Sequence, residues 1–268
     1  MSKIAFLGAG NMAAAMVQGL IAKQVSPPED IACYTASGKS AAVLAQSAGI
    51  RQATAPADLM HDADLLVVAF KPQHLSGLDA TWRELTAGKL VLSVLSGKTL
   101  ARLQTVFPAA RNWVRTMPNT PGRIGAGITG WCAARPLTEG DRKAVHDLLG
   151  ALGRELETTE SKLDAITAVS GSGPGYVFEF AAALQEAAQN AGLTTEQARL
   201  LVIETLLGSA RLLARTGDSP DRLRDQVTSP NGTTLAGLNV LKAGGFRSLV
   251  TKTVLAAKAR AEEISQES

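Results

Sequence analysis

KIAFLGAGNMAAAMVQGLIAK, residues 3–23, is the stretch on which the fold turns. Residues 3–7 are a short apolar run of strand length. Gly8 and Gly10 follow at once, and residues 11–23 carry an Ala-, Met- and Leu-rich helical pattern that stops before Pro27 and Pro28. Residues 31–34 (IACY) read as a second strand. Strand, glycine turn, helix and strand within about 30 residues form one βαβ unit, which demands a parallel sheet.

The alternation continues outward from that unit. Residues 39–48 are predicted helical, and 63–70 (ADLLVVAF) read as a strand buried on both faces. Strands are expected at 90–94, 112–115, 127–132 and 153–157. Helices are expected at 99–107 and at 138–152, where Thr138 and Asp141 have helix-start spacing. From about residue 160 the strand signals stop. Helical periodicity covers 163–191, 195–215, 232–243 and 246–265, punctuated by glycine, proline and asparagine. The expected architecture is an α/β N-terminal Rossmann domain, doubly wound on a mostly parallel sheet (1–160), followed by an all-α C-terminal domain (161–268).

Composition narrows the function. With 46% hydrophobic residues the chain can bury a sizeable core. Its 27 basic residues are dispersed among 24 acidic ones, leaving no electrostatic footprint for nucleic acid or a membrane surface. No apolar run reaches the roughly 20 residues of a membrane span. Cys33 and Cys132 are far apart, and neither they nor His61, His74 and His146 have metal-ligand spacing, so no metal site is expected. Reduced cysteines and the absence of a basic leader before the first strand give a cytoplasmic expectation.

A dinucleotide requires a backbone that can approach its pyrophosphate and a helix N-terminus facing it. Gly8 would make the tight turn and Gly10 would admit the phosphates, with Asn11 and Met12 opening the helix. Ala13 takes the small third position of the fingerprint. An NAD site places a carboxylate at the end of the second strand, on the ribose hydroxyls. Residues 34–40 (YTASGKS) hold no acid there. Ser37 and Lys39 suit a 2′-phosphate, so NADPH is the expected cofactor, with NADH as the alternative. Lys71 and Pro72, after strand 63–70, read as a cofactor-facing loop.

Taken in order, GAGNM (8–12), AFKPQ (69–73), VRTMPNTP (114–121), AVSGSGPGYV (168–177), LRDQVTSPNGTT (223–234) and GGFR (244–247) resemble the pyrroline-5-carboxylate reductase family over nearly the whole chain. The resemblance implies a Rossmann domain joined to a helical dimerisation domain, with dimers assembling further into rings. It also implies NAD(P)H-dependent reduction of Δ1-pyrroline-5-carboxylate to L-proline, the last step of proline biosynthesis. The chain departs from the family pattern at Ala13 and Asn231, where a glycine is usual, and at Gly175, where an alanine is usual. Asparagine tolerates positive φ better than other non-glycine residues, so the loop is expected to survive.

The implied substrate has a cyclic C=N bond and a carboxylate. By resemblance, Thr234 lies near the imine nitrogen as a hydrogen-bond partner or proton relay. Ser229, Asn231, Gly232 and Thr233 complete the substrate loop, whose backbone N–H groups from about 231 to 234 would hold the carboxylate. Asn119, between Pro118 and Pro121, is expected beside the nicotinamide, with its amide bonding the cofactor. The glycines of 170–174 would let cofactor or substrate approach the backbone, or would simply start a helix after a bend. Trp82, Trp113 and Trp131 read as packing residues, and Arg247 as a partner for a neighbouring helix or subunit. Three alternatives stay open: a reductase of a related cyclic imine, a hydroxy-acid dehydrogenase and a non-catalytic NADP sensor. Lys242 and Lys252 lack the asparagine partner that β-hydroxyacid dehydrogenases use, and a sensor would not need the 229–234 loop.

Overall fold

The structure is a computed structural model that describes residues 3–266; the outer ends of the two sequence-read domains, Met1 and Ser268, lie outside the described residues. It divides into two compact units, one containing residues up to 172 together with 257 onward, the other 173–256. The division drawn from the sequence at 160/161 marks where strands end. The compact-unit division falls later because Leu163 and Ala168 are buried within the first unit.

The first unit is built on an eight-stranded sheet. Its strands are β1 (Ile4–Leu7), β2 (Ile31–Tyr34), β3 (Arg51–Gln52), β4 (Leu65–Val68), β5 (Leu90–Ser93), β6 (Asn112–Met117), β7 (Gly127–Ala133) and β8 (Gly153–Glu157). They lie in the order β3-β2-β1-β4-β5-β6-β7-β8. All neighbours are parallel except β6 and β7, which are antiparallel. The predicted mostly parallel sheet is therefore present, and the two-residue β3 is an edge strand too short to show any periodicity.

Strand alternation sorts the core into two layers. Ile4, Phe6, Leu65, Val67, Leu90, Leu92 and Trp131 face one side, where they meet Met16, Val17 and Leu20 of α1 (Asn11–Ala22), Leu44 of α2 (Lys39–Ala48) and Leu148 of α6 (Glu139–Gly150). Ala5, Leu7, Leu66, Val68, Val91 and Trp113 face the other. There they meet Leu59 of α3 (Pro56–Met60), Trp82 of α4 (Thr81–Leu85) and Leu103 of α5 (Leu100–Val106). Helices on both faces make the sheet doubly wound, and all three tryptophans are buried packing residues as expected. The start of α6 also follows the sequence reading: the Thr138 hydroxyl accepts the Asp141 N–H at 3.1 Å.

The chain runs from β1 out to β2 and β3, then returns to place β4 on the other side of β1. That reversal leaves a crevice at the carboxyl ends of β1 and β4, the usual ligand position in an open α/β sheet.

The helical run after β8 differs from the single 163–191 helix expected. It comprises α7 (Leu163–Ile166), a π-helical turn (Thr167–Gly171) and α8 (Gly173–Asn190). The second unit continues with α9 (Thr195–Thr216), α10 (Pro220–Gln226), α11 (Thr233–Ala243) and the first part of α12 (Phe246–Gln266). Among residues 173–256 only Ala198 and Val202 are buried, whereas Phe178, Leu200, Val240 and Leu249 are each at least 61% exposed. A unit with so little interior of its own has its apolar surface available for another chain. No helix among the described residues is long and apolar enough to cross a membrane.

Candidate active site

Gly8 is the first residue after β1. Its φ is +115°, and its N–H donates to the Tyr34 carbonyl at 2.9 Å. A Cβ built there would stand 2.4 Å from the carbonyl carbon and oxygen of Ala69. The turn is thus pressed between the exits of β2 and β4, and only glycine satisfies both the dihedral and the space. Gly10 has a different reason to be glycine. It is the N-cap of α1, and a Cβ there would meet nothing within 4 Å. That open space lies in front of a helix end with no side-chain cap and no acidic residue in its first turn. The first-turn N–H groups, those of Asn11 and Met12 among them, have no acceptor within the helix. Ala13, the small third position, is fully buried against the sheet. These features fit a dinucleotide: a glycine-lined approach, orphan donors and a positive helix end.

The loop after β2 presents Ser37 and Lys39, both exposed. Gly38 between them is left-handed at φ +68°, and its carbonyl accepts Gln52 Nε2 at 3.2 Å, fixing the loop to β3. Lys71 is exposed after β4 and caps the 3₁₀ turn Pro72–Gly77. The residues read as cofactor ligands on β1, β2 and β4 therefore all leave the sheet at its carboxyl edge. His74 is exposed on the same 3₁₀ turn.

Asn119 follows β6 and is 9% exposed. Its Nδ2 donates to the Ser170 carbonyl at 3.2 Å, and its Oδ1 accepts the Ile128 N–H at 3.0 Å. The amide expected to reach a cofactor is thus already bonded on both sides within the protein. One amide hydrogen and one lone pair of Oδ1 remain, so any direct contribution of this side chain to a cofactor is limited to those two. At 170–174, Gly171 accommodates the Met117 side chain, whose Cε would lie 2.5 Å from an added Cβ.

In the second unit, residues 229–234 form a turn and a helix start. The Gly232 N–H donates to the Ser229 carbonyl at 3.0 Å, closing a turn whose third residue, Asn231, has φ +59°. The expectation that asparagine could replace glycine here holds. Gly232 makes room for the Ser229 hydroxyl, which a Cβ would meet at 2.3 Å and which would have to rotate aside. α11 begins at Thr233 with no side-chain cap. One correction follows for the amide cradle: the Gly232 N–H is spent on the turn, which leaves the N–H groups of Asn231, Thr233 and Thr234, all exposed residues, at the open helix end. Arg247 pairs with Asp221 of α10 and holds that carboxyl below the usual carboxylate range, so it serves a neighbouring helix as expected.

The sequence reading passed over α3, α4 and α10 and gave no role to Arg115, which is a buried ion-pair hub. For α10 the signal was present: Ser219 caps the Arg222 N–H and Pro220 occupies the first helical position. Cys33 and Cys132 are free and buried, and burial pushes both thiols up to about 11. A thiol-reactive disulfide reagent at pH 8 should therefore label native protein at least ~100-fold more slowly than unfolded protein, since only the thiolate reacts. No group of acids, histidines and cysteines among the described residues could hold a metal ion.

A glycine-lined helix end at the switch point of a parallel sheet, followed by a helical unit, defines the class of nicotinamide-linked oxidoreductases with an appended helical domain. Comparison with known proteins agrees. A family model described as NADP oxidoreductase, coenzyme F420-dependent, matches residues 3–97, and one described as pyrroline-5-carboxylate reductase dimerisation matches residues 160–264. The chain is 35% identical to the pyrroline-5-carboxylate reductase of Arabidopsis thaliana, over 98% of this chain and 96% of that one. A solved pyrroline-5-carboxylate reductase from Coxiella burnetii superposes with a TM-score of 0.91 at 35% identity, covering 98% of each chain. The Plasmodium falciparum pyrroline carboxylate reductase, solved with NADP bound, superposes with a TM-score of 0.87 at 27% identity and the same coverage. The chain belongs to the pyrroline-5-carboxylate reductase family.

Proposed function

We propose that this protein reduces the C=N bond of Δ1-pyrroline-5-carboxylate to give L-proline, using NADPH. The reading is carried by full-length membership of the family together with a helix end suited to phosphate on a sheet of the NADP oxidoreductase type. Residues 1–160 serve as the nucleotide domain and 161–268 as the dimerisation and substrate domain, in line with the family match at 160–264. Gly8, Gly10, Asn11 and Met12 hold the pyrophosphate through backbone donors. Ser37 and Lys39 receive the 2′-phosphate, with no carboxylate nearby in the loop to repel it. Lys71 and Pro72 line the crevice, and Asn119 shapes its nicotinamide end.

Bound NADPH supplies a hydride to the substrate carbon. The protein's part is to orient, to polarise and to exclude water. The amides of Thr233 and Thr234 bind the substrate carboxylate at the start of α11, with Ser229, Asn231 and Gly232 holding the loop in shape. The Thr234 hydroxyl donates to the imine nitrogen, drawing electron density away from the carbon that receives the hydride. A hydroxyl is too weak an acid to act alone, so the proton is relayed through it from water. Two buried reduced thiols accord with a cytoplasmic protein. The dimer, and the ring of dimers implied by the resemblance, are tested by the particle mass in solution.

The reading is tested by NADPH oxidation at ~340 nm with purified protein and Δ1-pyrroline-5-carboxylate, with proline identified as product and NADH run in parallel. Thr234→Ala should lower kcat about 10²-fold, the usual range for a lost proton-transfer or polarising group, while the NADPH Kd changes less than threefold. Full activity in that variant would remove the hydroxyl from the mechanism. No turnover by the wild-type protein despite tight NADPH binding would transfer the assignment to another cyclic imine.

A further inference from the structure

Arg115 is a charged residue inside the core of the first unit. It lies on β6, in register with Ser93 of β5 and Cys132 of β7, and its side chain is 5% exposed. The guanidinium is shared among three side chains. Nη1 donates to Glu160 Oε1 at 3.1 Å, and Nη2 donates to Asp164 Oδ1 at 3.0 Å and to Ser265 Oγ at 3.4 Å. Ser265 in turn donates to Asp164 Oδ1 at 3.1 Å, and Glu160 Oε1 also accepts the Leu100 N–H at 2.7 Å. One arginine therefore ties β6 to the turn before α7, to α7 itself, to the first residue of α5 and to the end of α12.

The alternation of β6 carries this attachment toward the crevice. Residues 115 and 117 point to the same face. Met117 packs on Gly171 of the π-helical turn, and Asn119 two residues further on donates to the Ser170 carbonyl. Residues 115, 117 and 119 thus hold successive parts of 160–171 against the strand: an ion pair first, then an apolar contact, then a hydrogen bond. A π turn inside a helix is a costly distortion that commonly accompanies a functional site. Here it lies opposite the loop assigned to the nicotinamide end.

We propose that Arg115 is a positioning residue for the reductase reaction: it locks the 160–171 segment to β6, and so sets the Asn119 loop and the π turn that shape the reacting end of the cofactor crevice. The proposal rests on the reductase reading for its kinetic part only. Bidentate donation is the feature that matters, since a planar fork reaches Glu160 and Asp164 together whereas a lysine ammonium is a single point charge.

The test compares Arg115→Met and Arg115→Lys with wild type by steady-state kinetics, NADPH binding and amide hydrogen exchange of the protein without cofactor or substrate. Arg115→Met should exchange residues 117–122 and 163–172 at least ~10-fold faster than wild type, with β1 and α1 unchanged. Its kcat should fall about 10²-fold, the size of effect that a misplacement near 1 Å produces, while the NADPH Kd moves less than threefold. Arg115→Lys should recover part of both losses. If Arg115→Met does not fold, Glu160→Gln and Asp164→Asn carry the same test, each removing one arm and showing the same pattern at smaller size. Unchanged exchange in the two segments, or a lower melting temperature with full kcat per folded molecule, overturns the proposal. An inactive wild-type protein would overturn the reductase reading, and the exchange data would still decide whether Arg115 fixes the two segments.

Discussion

Replacing Gly8 with alanine is expected to weaken NADPH binding by about two orders of magnitude or more and to cost roughly 3 kcal/mol of stability. Two independent penalties meet at this position. A non-glycine residue at φ +115° occupies a sparsely populated backbone region, which costs about 1–3 kcal/mol by itself. The added Cβ would also lie 2.4 Å from backbone atoms of Ala69, which cannot rotate away as a side chain could. Relief requires the 8–10 turn to move off β4, and that turn aims the first N–H groups of α1. Losing well-placed phosphate contacts worth about 3 kcal/mol corresponds to about 10²-fold in Kd. Gly49→Ala is the matched control. Gly49 has φ +69° at the end of α2, and a Cβ there meets nothing within 4 Å. It should lose about 1 kcal/mol and bind NADPH normally. Titration of NADPH fluorescence together with thermal melting separates the cases. Normal affinity in Gly8→Ala would show that the turn does not position the helix end for the cofactor.

What the sequence revealed and what it hid have the same physical basis. β2 and α2 lie where the sequence reading placed them, because periodicity, glycine turns and prolines are local signals carried by the segment itself. The strand expected over 63–70 is shorter, Leu65–Val68; Ala69 still donates its N–H to the Leu7 carbonyl at 2.8 Å, while Ala63 and Phe70 continue the apolar run as core packing beyond the strand. Short elements such as α3 and α4 bury one or two residues each, too few for a period to register. The turn at Gly8 was legible because only glycine meets its steric demands, and Gly10 because it follows at the spacing of a phosphate-binding turn. The commitments of Asn119 were not, since they join residues 51 and 9 positions away. The Gly232 N–H escaped notice for a subtler reason. The same Ser-Pro-Asn-Gly pattern that announces a turn also consumes the amide that a ligand site would use. Arg115 could be read only as one charged residue in a strand, because its partners lie up to 150 residues away.

The second large effect concerns the helical unit, which should not hold its structure as a separate chain. Ala198 and Val202 are its buried residues, both on α9, and α8, α10 and α11 bury none. Helices gain most of their stability from packing an apolar face rather than from intrinsic propensity, so this surface requires a partner. The family match to a dimerisation domain over 160–264 identifies that partner as a second copy. Phe178 on α8 and Leu200 on α9 are each 63% exposed in the single chain. Burying such a side chain is worth about 1.5–3 kcal/mol, and a two-fold axis counts it twice. Phe178→Glu should therefore weaken the dimer by about 3–6 kcal/mol, or roughly 10² to 10⁴ in dissociation constant, before the cost of burying two carboxylates is added. Sedimentation should show monomer at micromolar protein, and far-ultraviolet dichroism should show lost helix. Wild-type protein should melt at a temperature that rises with its concentration, as an obligate dimer must. A Phe178→Glu variant that stayed dimeric would exclude that face from the interface. A wild-type melting temperature independent of concentration would show that the helices are stable without a partner.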